Sequence, residues 1–232
     1  MATYAHPEQH VYLDATITDI HHRQIVLNLI ENFGLKVGDA VVELGAGSGR
    51  YTELLLECGL KVIALEPDTV LAKKLRTRLG NKSDLQVLSS DSLAIGSYPN
   101  SVKAVCGFHV LHHIRGEELK RLYSLFDQLF ADRPSMSGWF FLEPNPFCPL
   151  YAVQILLTPG MSLKEERGIW QHYPQSHAFA ENVRYACGLF PPRSWVNKLG
   201  DWATKGTGFT NRRMFWNLYQ IVGARRTQAL LS

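Results

Sequence analysis

Three histidines, His109, His112 and His113, stand within five residues in the string FHVLHHI. Imidazole titrates closer to neutral pH than any other side chain, so such a cluster suits the removal of a proton from a hydroxyl or an amine. The same H-x-x-H-H spacing offers nitrogen ligands for zinc. No metal is expected there, however. A second chemical signature lies upstream. Residues 40–50, AVVELGAGSGR, run from an apolar stretch through Glu43 into Gly45, Gly47 and Gly49, with only Ala46 and Ser48 between them. Glycines there allow positive φ and let a ligand press against bare backbone. The amides that open the following helical pattern favour an electron-rich group. The spacing is G-x-G-x-G, and Arg50 stands where a dinucleotide fingerprint needs its third glycine, which argues against a nicotinamide enzyme.

Such residues need a frame that brings them to one edge. Four further apolar runs also end in polar or special residues. Lys61–Leu65 ends in Glu66, and Leu85–Leu88 in Ser89-Ser90-Asp91-Ser92. Val102–Gly107 leads into Phe108 and His109, and Trp139–Leu142 into Glu143-Pro144-Asn145-Pro146. In an open α/β sheet these strand ends share one crevice, and a carboxylate at Glu66 can accept from both hydroxyls of a ribose. Helical stripes separate the runs. Residues 6–34 carry Ile17, Ile20, Ile25, Val26, Leu29, Ile30 and Phe33 and stop at Gly34, and Glu117–Phe130 places Leu119, Leu122, Leu125, Phe126 and Leu129 on one face. Alternation of strand and helix predicts a mostly parallel sheet with right-handed crossovers. Residues 146–180 interrupt it with four prolines and two helical runs, YAVQILL and SLKEERGIWQHY, the second capped by Ser162 with Glu165 three residues on.

The chain resembles class I S-adenosylmethionine-dependent methyltransferases of the type acting mostly on small molecules (the type 11/12 group). VVELGAGSGR matches the first motif of that superfamily and ALEPD the second. SSDS resembles the adenine-contacting segment, VLHHI the stretch after the fourth strand, and FLEPNP the end of the fifth, together covering residues 38–145. Lys103 departs from the pattern, where an aspartate is usual. Phe108 and His109 replace small or polar residues at the rim. The resemblance implies a Rossmann-like α/β fold: a seven-stranded, mostly parallel sheet with helices on both faces, the last strand antiparallel, and a helical lid inserted after strand 5. It implies one domain over 1–232, with cap helices in 1–34, a cofactor core in 38–145, a lid in 146–180 and C-terminal strands in 181–232. The last two strands are expected at Asn182–Cys187 and Leu218–Ala224.

The resemblance also implies a binding set. Glu43 with the backbone of Gly45, Ala46, Gly47 and Gly49 would orient the methionine part of S-adenosylmethionine. Glu66, followed by Pro67, would take the ribose, and Asp91 and Ser92 the adenine. Gly107 and Phe108 would lie near the ammonium, and Tyr12 would close over the top. His109 is the candidate base, and His113 the candidate that shapes the loop beside it. Asn145, Trp170, His172, Tyr173 and His177, with His109, would line an acceptor pocket under the lid.

Composition fits one globular enzyme domain of 232 residues, 46% hydrophobic and 19% charged. A formal charge of +3 is too small to imply a polyanionic partner. The resemblance, through EPNP and the Pro-rich insert, implies a small-molecule acceptor of specialised-metabolite or glycan type, methylated on O or N, with no nucleic acid and no membrane as partner and a monomer or homodimer as the working unit. The alternatives are a nucleic-acid or protein methyltransferase, or a non-catalytic cofactor-binding subunit. An Asn-Pro-Pro-Tyr-type string that positions a flipped base is missing after the fourth apolar run. Cys58, Cys106, Cys148 and Cys187 show no pairing pattern, and no secretory signal or apolar span is seen, so a reducing cytoplasm is expected. Replacing Glu66 by alanine should weaken binding of S-adenosylmethionine by about 1–3 kcal/mol through loss of charge-assisted bonds to the ribose, read by titration calorimetry; unchanged affinity removes the assignment.

Overall fold

The computed structural model describes residues 20–98, 100–157, 163–164, 166–176, 180–187 and 219–226. Seven strands form one sheet. They are β1 (Ala40–Leu44), β2 (Lys61–Leu65), β3 (Leu85–Leu88), β4 (Val102–Phe108), β5 (Gly138–Pro144), β6 (Ala180–Cys187) and β7 (Tyr219–Arg226). Their order is β3-β2-β1-β4-β5-β7-β6. The first five pair in parallel, and β7 runs antiparallel between β5 and β6. The chain order thus reverses between β1 and β4, the topological switch point at which ligands bind in such sheets.

The helices are α1 (Ile20–Asn32), α2 (Arg50–Glu57), α3 (Thr69–Leu79), α4 (Gly116–Asp132) and α5 (Pro149–Leu157). Strand alternation sorts the core into two layers. Val41, Val62, Ala64, Ala104, Phe108, Phe140 and Leu142 pack with α1, α2 and α3. Val42, Leu44, Val105, Trp139, Phe141 and Val222 pack with α4. Both faces of the sheet are therefore covered, as the unbroken apolar runs require. Asp68 caps α3, its carboxylate accepting from the amides of Val70 (2.8 Å) and Leu71 (3.1 Å).

Several boundaries differ from expectation, among them the end of β7, which runs to Arg226 rather than Ala224. The SLKEERGIWQHY stretch forms only a short 3-10 turn, Glu166–Trp170, in place of a full helix, and Ser162 and Glu165 fall outside the described residues. Gly168 packs directly on the His112 carbonyl, where a side chain would clash. Strand β6 begins two residues earlier than expected, because its antiparallel ladder with β7 extends to the Ala180–Arg226 pair. Of the expected cap helices in 1–34, only α1 lies among the described residues. No helix among those residues is long and apolar enough to cross a membrane. On the α4 face, Phe126 stacks on Trp139 with centroids 4.7 Å apart, both rings fully enclosed. Phe126→Ala should cost about 3–5 kcal/mol of unfolding free energy in urea titration, with the native far-ultraviolet spectrum retained; a loss below about 1 kcal/mol would mean that this layer is loosely packed.

Candidate functional site

The glycine turn joins β1 to α2 with Gly45, Gly47 and Gly49 all at positive φ. At Gly47, with φ +57°, a side chain would meet no protein atom within 4 Å, so its exposed backbone faces open space. The turn is held from three sides. The Ala46 amide donates to the Leu65 carbonyl at 3.1 Å. The Gly47 amide donates to Glu66 at 2.7 Å. From α3, Arg78 donates to the carbonyls of Ser48 and Gly49 and bonds Glu53. Glu66 also accepts from the Asp68 amide at 2.9 Å. Burial raises the pKa of its carboxyl, an effect the amides of Asp68 and Gly47 partly offset. A carboxylate at the end of β2 behind an open glycine backbone fits the ribose and methionine portions of S-adenosylmethionine.

Several expected residues take other places. Glu43 is 1% exposed and accepts from the Thr52 hydroxyl at 2.6 Å. Strand alternation puts it on the same face as Val41, beneath α2, so it ties β1 to that helix and does not line the crevice. Burial pushes its pKa up to about 8 against the Thr52 bond, with the charge of Glu66 adding to the rise. Asp91 is exposed and caps the 3-10 turn Ser92–Ser97 through the Leu93 amide, with Ser92 and Pro67 at the same rim. Tyr173 is enclosed in the α4-side core rather than set against a pocket, because the insert folds it inward. Asn145 is buried as a turn former, its side chain accepting from the Phe147 amide. Trp170 and His172 are exposed. Tyr12 and His177 lie outside the described residues.

The rim after β4 holds the densest chemistry. His109 sits at φ +58°, the one non-glycine residue at positive φ among those described. Histidine tolerates this region better than most residues, and non-glycine positions of this kind concentrate at functional sites. Its amide donates to the Leu142 carbonyl at 2.7 Å. Its Nε2 lies 3.3 Å from the Tyr51 hydroxyl, and its ring meets that of Tyr219 edge-on at 5.2 Å. Tyr51 in turn stacks on Phe108 at 4.1 Å. His22 of α1 lies 3.2 Å from the Tyr219 hydroxyl and 3.3 Å from a guanidinium nitrogen of Arg50, whose cation stands over Tyr51. Sequence reasoning missed His22, Tyr51 and Tyr219, which come from α1, α2 and β7. Only Arg50 was noted, and only for what it is not. Burial pushes the His109 pKa down to about 3; Glu143 opposes this, while His112, His22 and Arg50 add to it. Burial and the charge of His112 bring His113 down to about 4. Both rings are neutral at physiological pH. His113 faces the His112 ring at 4.0 Å and stands as a loop residue.

A family model described as ribosomal RNA adenine dimethylase matches residues 20–122. Over 114 residues the chain is 29% identical to an uncharacterized methyltransferase of a Geobacillus species, covering 48% of this chain and 53% of that protein. It is 33% identical over 99 residues to the ribosomal RNA small subunit methyltransferase A of Thermotoga petrophila, covering 43% of this chain and 37% of that protein. The matches thus span about half or less of those relatives. A SAM dependent methyltransferase from Archaeoglobus fulgidus superposes with a TM-score of 0.52 at 17% identity, over 88% of this chain and 94% of that one. The matched family acts on ribosomal RNA, which overturns the expected small-molecule type, the small-molecule acceptor and the exclusion of a nucleic-acid partner. Small net charge misled there, because a formal total says nothing of where the cations stand. The fold is that of class I S-adenosylmethionine-dependent methyltransferases.

Proposed function

We propose that this chain transfers a methyl group from S-adenosylmethionine to an adenine amine of RNA, with ribosomal RNA as the acceptor class. The observation that carries the reading is the ribosomal RNA adenine dimethylase match over residues 20–122. That stretch contains the glycine turn, Glu66, Asp91 and the rim after β4. The site itself supports it. A base must leave its stack to reach a methyl group in a crevice, and proteins receive such bases against aromatic rings. At the switch point His109 and Tyr219 stand partly exposed, backed by the buried rings of Tyr51 and Phe108. Arg50 beside them supplies a cation suited to a phosphate backbone.

When bound, S-adenosylmethionine supplies a methyl group on a sulfonium, whose leaving group is already activated. The chain's own task is then orientation and exclusion of water. Glu66 and the backbone of Gly45, Ala46, Gly47 and Gly49 hold the cofactor, Asp91 and Ser92 meet its adenine, and Gly107 and Phe108 close the methionine end. No Asn-Pro-Pro-Tyr string follows β4, so orienting the weakly nucleophilic amine falls to His109 and Tyr51. A ring neutral down to about pH 3 acts there as a hydrogen-bond partner, not as a proton sink at neutral pH. The expected general base is revised accordingly.

With methyl-labelled cofactor, the purified protein should label unmethylated small-subunit ribosomal RNA, and nuclease digestion should return methylated adenosine. Absence of label in any RNA, with cofactor binding intact by calorimetry, would remove the reading. His109→Ala should lower turnover about 100-fold through loss of alignment, while His109→Gln, which keeps a neutral hydrogen-bonding group, should keep most of it. The pH–rate profile should show no limb at 6.5; a limb there that His109→Ala abolishes would return His109 to the role of base.

A further inference from the structure

Three residues past His109, the loop carries a second buried histidine in the opposite state. His112 is 3% exposed. Its Nδ1 donates to Glu143 at 2.6 Å, and its Nε2 lies 3.3 Å from Glu166 of the insert. Glu143, at the end of β5 and fully enclosed, also accepts from the amides of Val110 (3.0 Å), Leu111 (2.8 Å) and His112 (3.3 Å). One carboxylate thus gathers three consecutive amides and the ring. From the insert, Gln171 donates to the carbonyls of Leu111 (2.8 Å) and Ile114 (3.1 Å). Arg115 donates to the His112 carbonyl at 3.3 Å. Val110, fixed by this arrangement, occupies the space that a side chain at Gly45 or Gly107 would need. The loop's position therefore sets the wall of the glycine turn.

We propose that His112 is a positioning residue: hydrogen-bonded to β5 on one side and ion-paired with Glu166 of the insert on the other, it locks the loop from His109 to Ile114 and so fixes His109 and Val110 against the cofactor cradle. Its influence on turnover rests on the methyl-transfer reading of the site. The groups facing the ring are Glu143, Glu166, His109, His113 and Arg115. Burial alone would keep the imidazole neutral, but the two carboxylates reverse this and raise its pKa from 6.5 to about 9. A folded-state value above the unfolded one means that the lock contributes its full stability below about 6.5 and loses it as pH rises through about 9.

The test uses the whole chain and two variants, His112→Gln and Glu166→Gln. His112→Gln should bind S-adenosylhomocysteine nearly as the parent does while kcat on RNA falls about 100-fold, since small misplacements at a reacting centre cost that much. KM should change little. In nitrogen-15 spectra the His112 ring should stay cationic to about pH 9. Glu166→Gln should lower that midpoint and move the high-pH fall of kcat with it. A merely structural residue would lower thermal stability without shifting the pH profile. Parent-like kcat in a folded His112→Gln, or a neutral ring at pH 7, would overturn the lock. Absence of turnover on every acceptor would overturn the methyl-transfer reading instead, and the lock is then judged by spectra alone. The amide signals of residues 109–114 should shift in Glu166→Gln, and unchanged amides overturn it.

Discussion

The rest of the site depends on one buried carboxylate. Glu143 has no exposed surface and no lysine or arginine bonded to it among the described residues. A buried anion is tolerable only when its lone pairs are filled. Here three backbone amides and one imidazolium fill them. These bonds satisfy the charge and also bend the chain after β4 back over the sheet edge, with His109 at positive φ as the pivot. Because sheet pairing holds β5 in register between β4 and β7, the carboxylate cannot drift. The rim inherits the stiffness of the sheet centre, and the insert inherits it from the rim through Glu166 and Gln171.

The glycine turn is stiffened by a different device. Its backbone must stay bare to meet a ligand, so it cannot be packed by its own side chains. Neighbours hold it instead. Arg78 reaches across from α3 to the carbonyls at the far side of the turn, while Glu66 takes the Gly47 amide on the near side. This second bond spends an amide and a carboxylate that also face the crevice. A ribose that takes Glu66 must therefore share it with Gly47 and Asp68, and the carboxylate's two oxygens have the lone pairs to do so.

Much of this was legible in the chain. The apolar runs fixed β2 and β3 residue for residue, and the glycine spacing located the turn with Glu66 opposite. Local pattern carries such information because strand ends and turns are decided by near neighbours. The rim was read only in half. Its histidines were visible, but their charges were not, since burial sets the state of His109 while Glu143 and Glu166 set that of His112, and only the fold supplies either. Tyr219 could not have been placed from sequence, as it joins His22 and His109 from a strand at the far end of the chain. Glu43 misled for a physical reason: a strand's last polar residue points either over the edge or under the next helix, and alternation here chose the helix. Charge count misled about the partner because a total of +3 says nothing of how the cations are distributed.

The two histidines of the loop show how one anion divides labour. Glu143 raises the pKa of both, yet only His112 is bonded to it, and only His112 has Glu166 on its other nitrogen. For His112 the paired bonds outweigh burial. For His109, bonded to a tyrosine hydroxyl and flanked by His112, His22 and Arg50, burial wins. A sulfonium arriving beside the rim would add another positive charge and push His109 further toward neutrality. The loop thus keeps the charge of His112 one step back, between two carboxylates, and leaves His109 an uncharged hydrogen-bonding group. Such a group suits the proposed acceptor, the exocyclic amine of a base, which is neutral in its ground state and whose attack requires alignment.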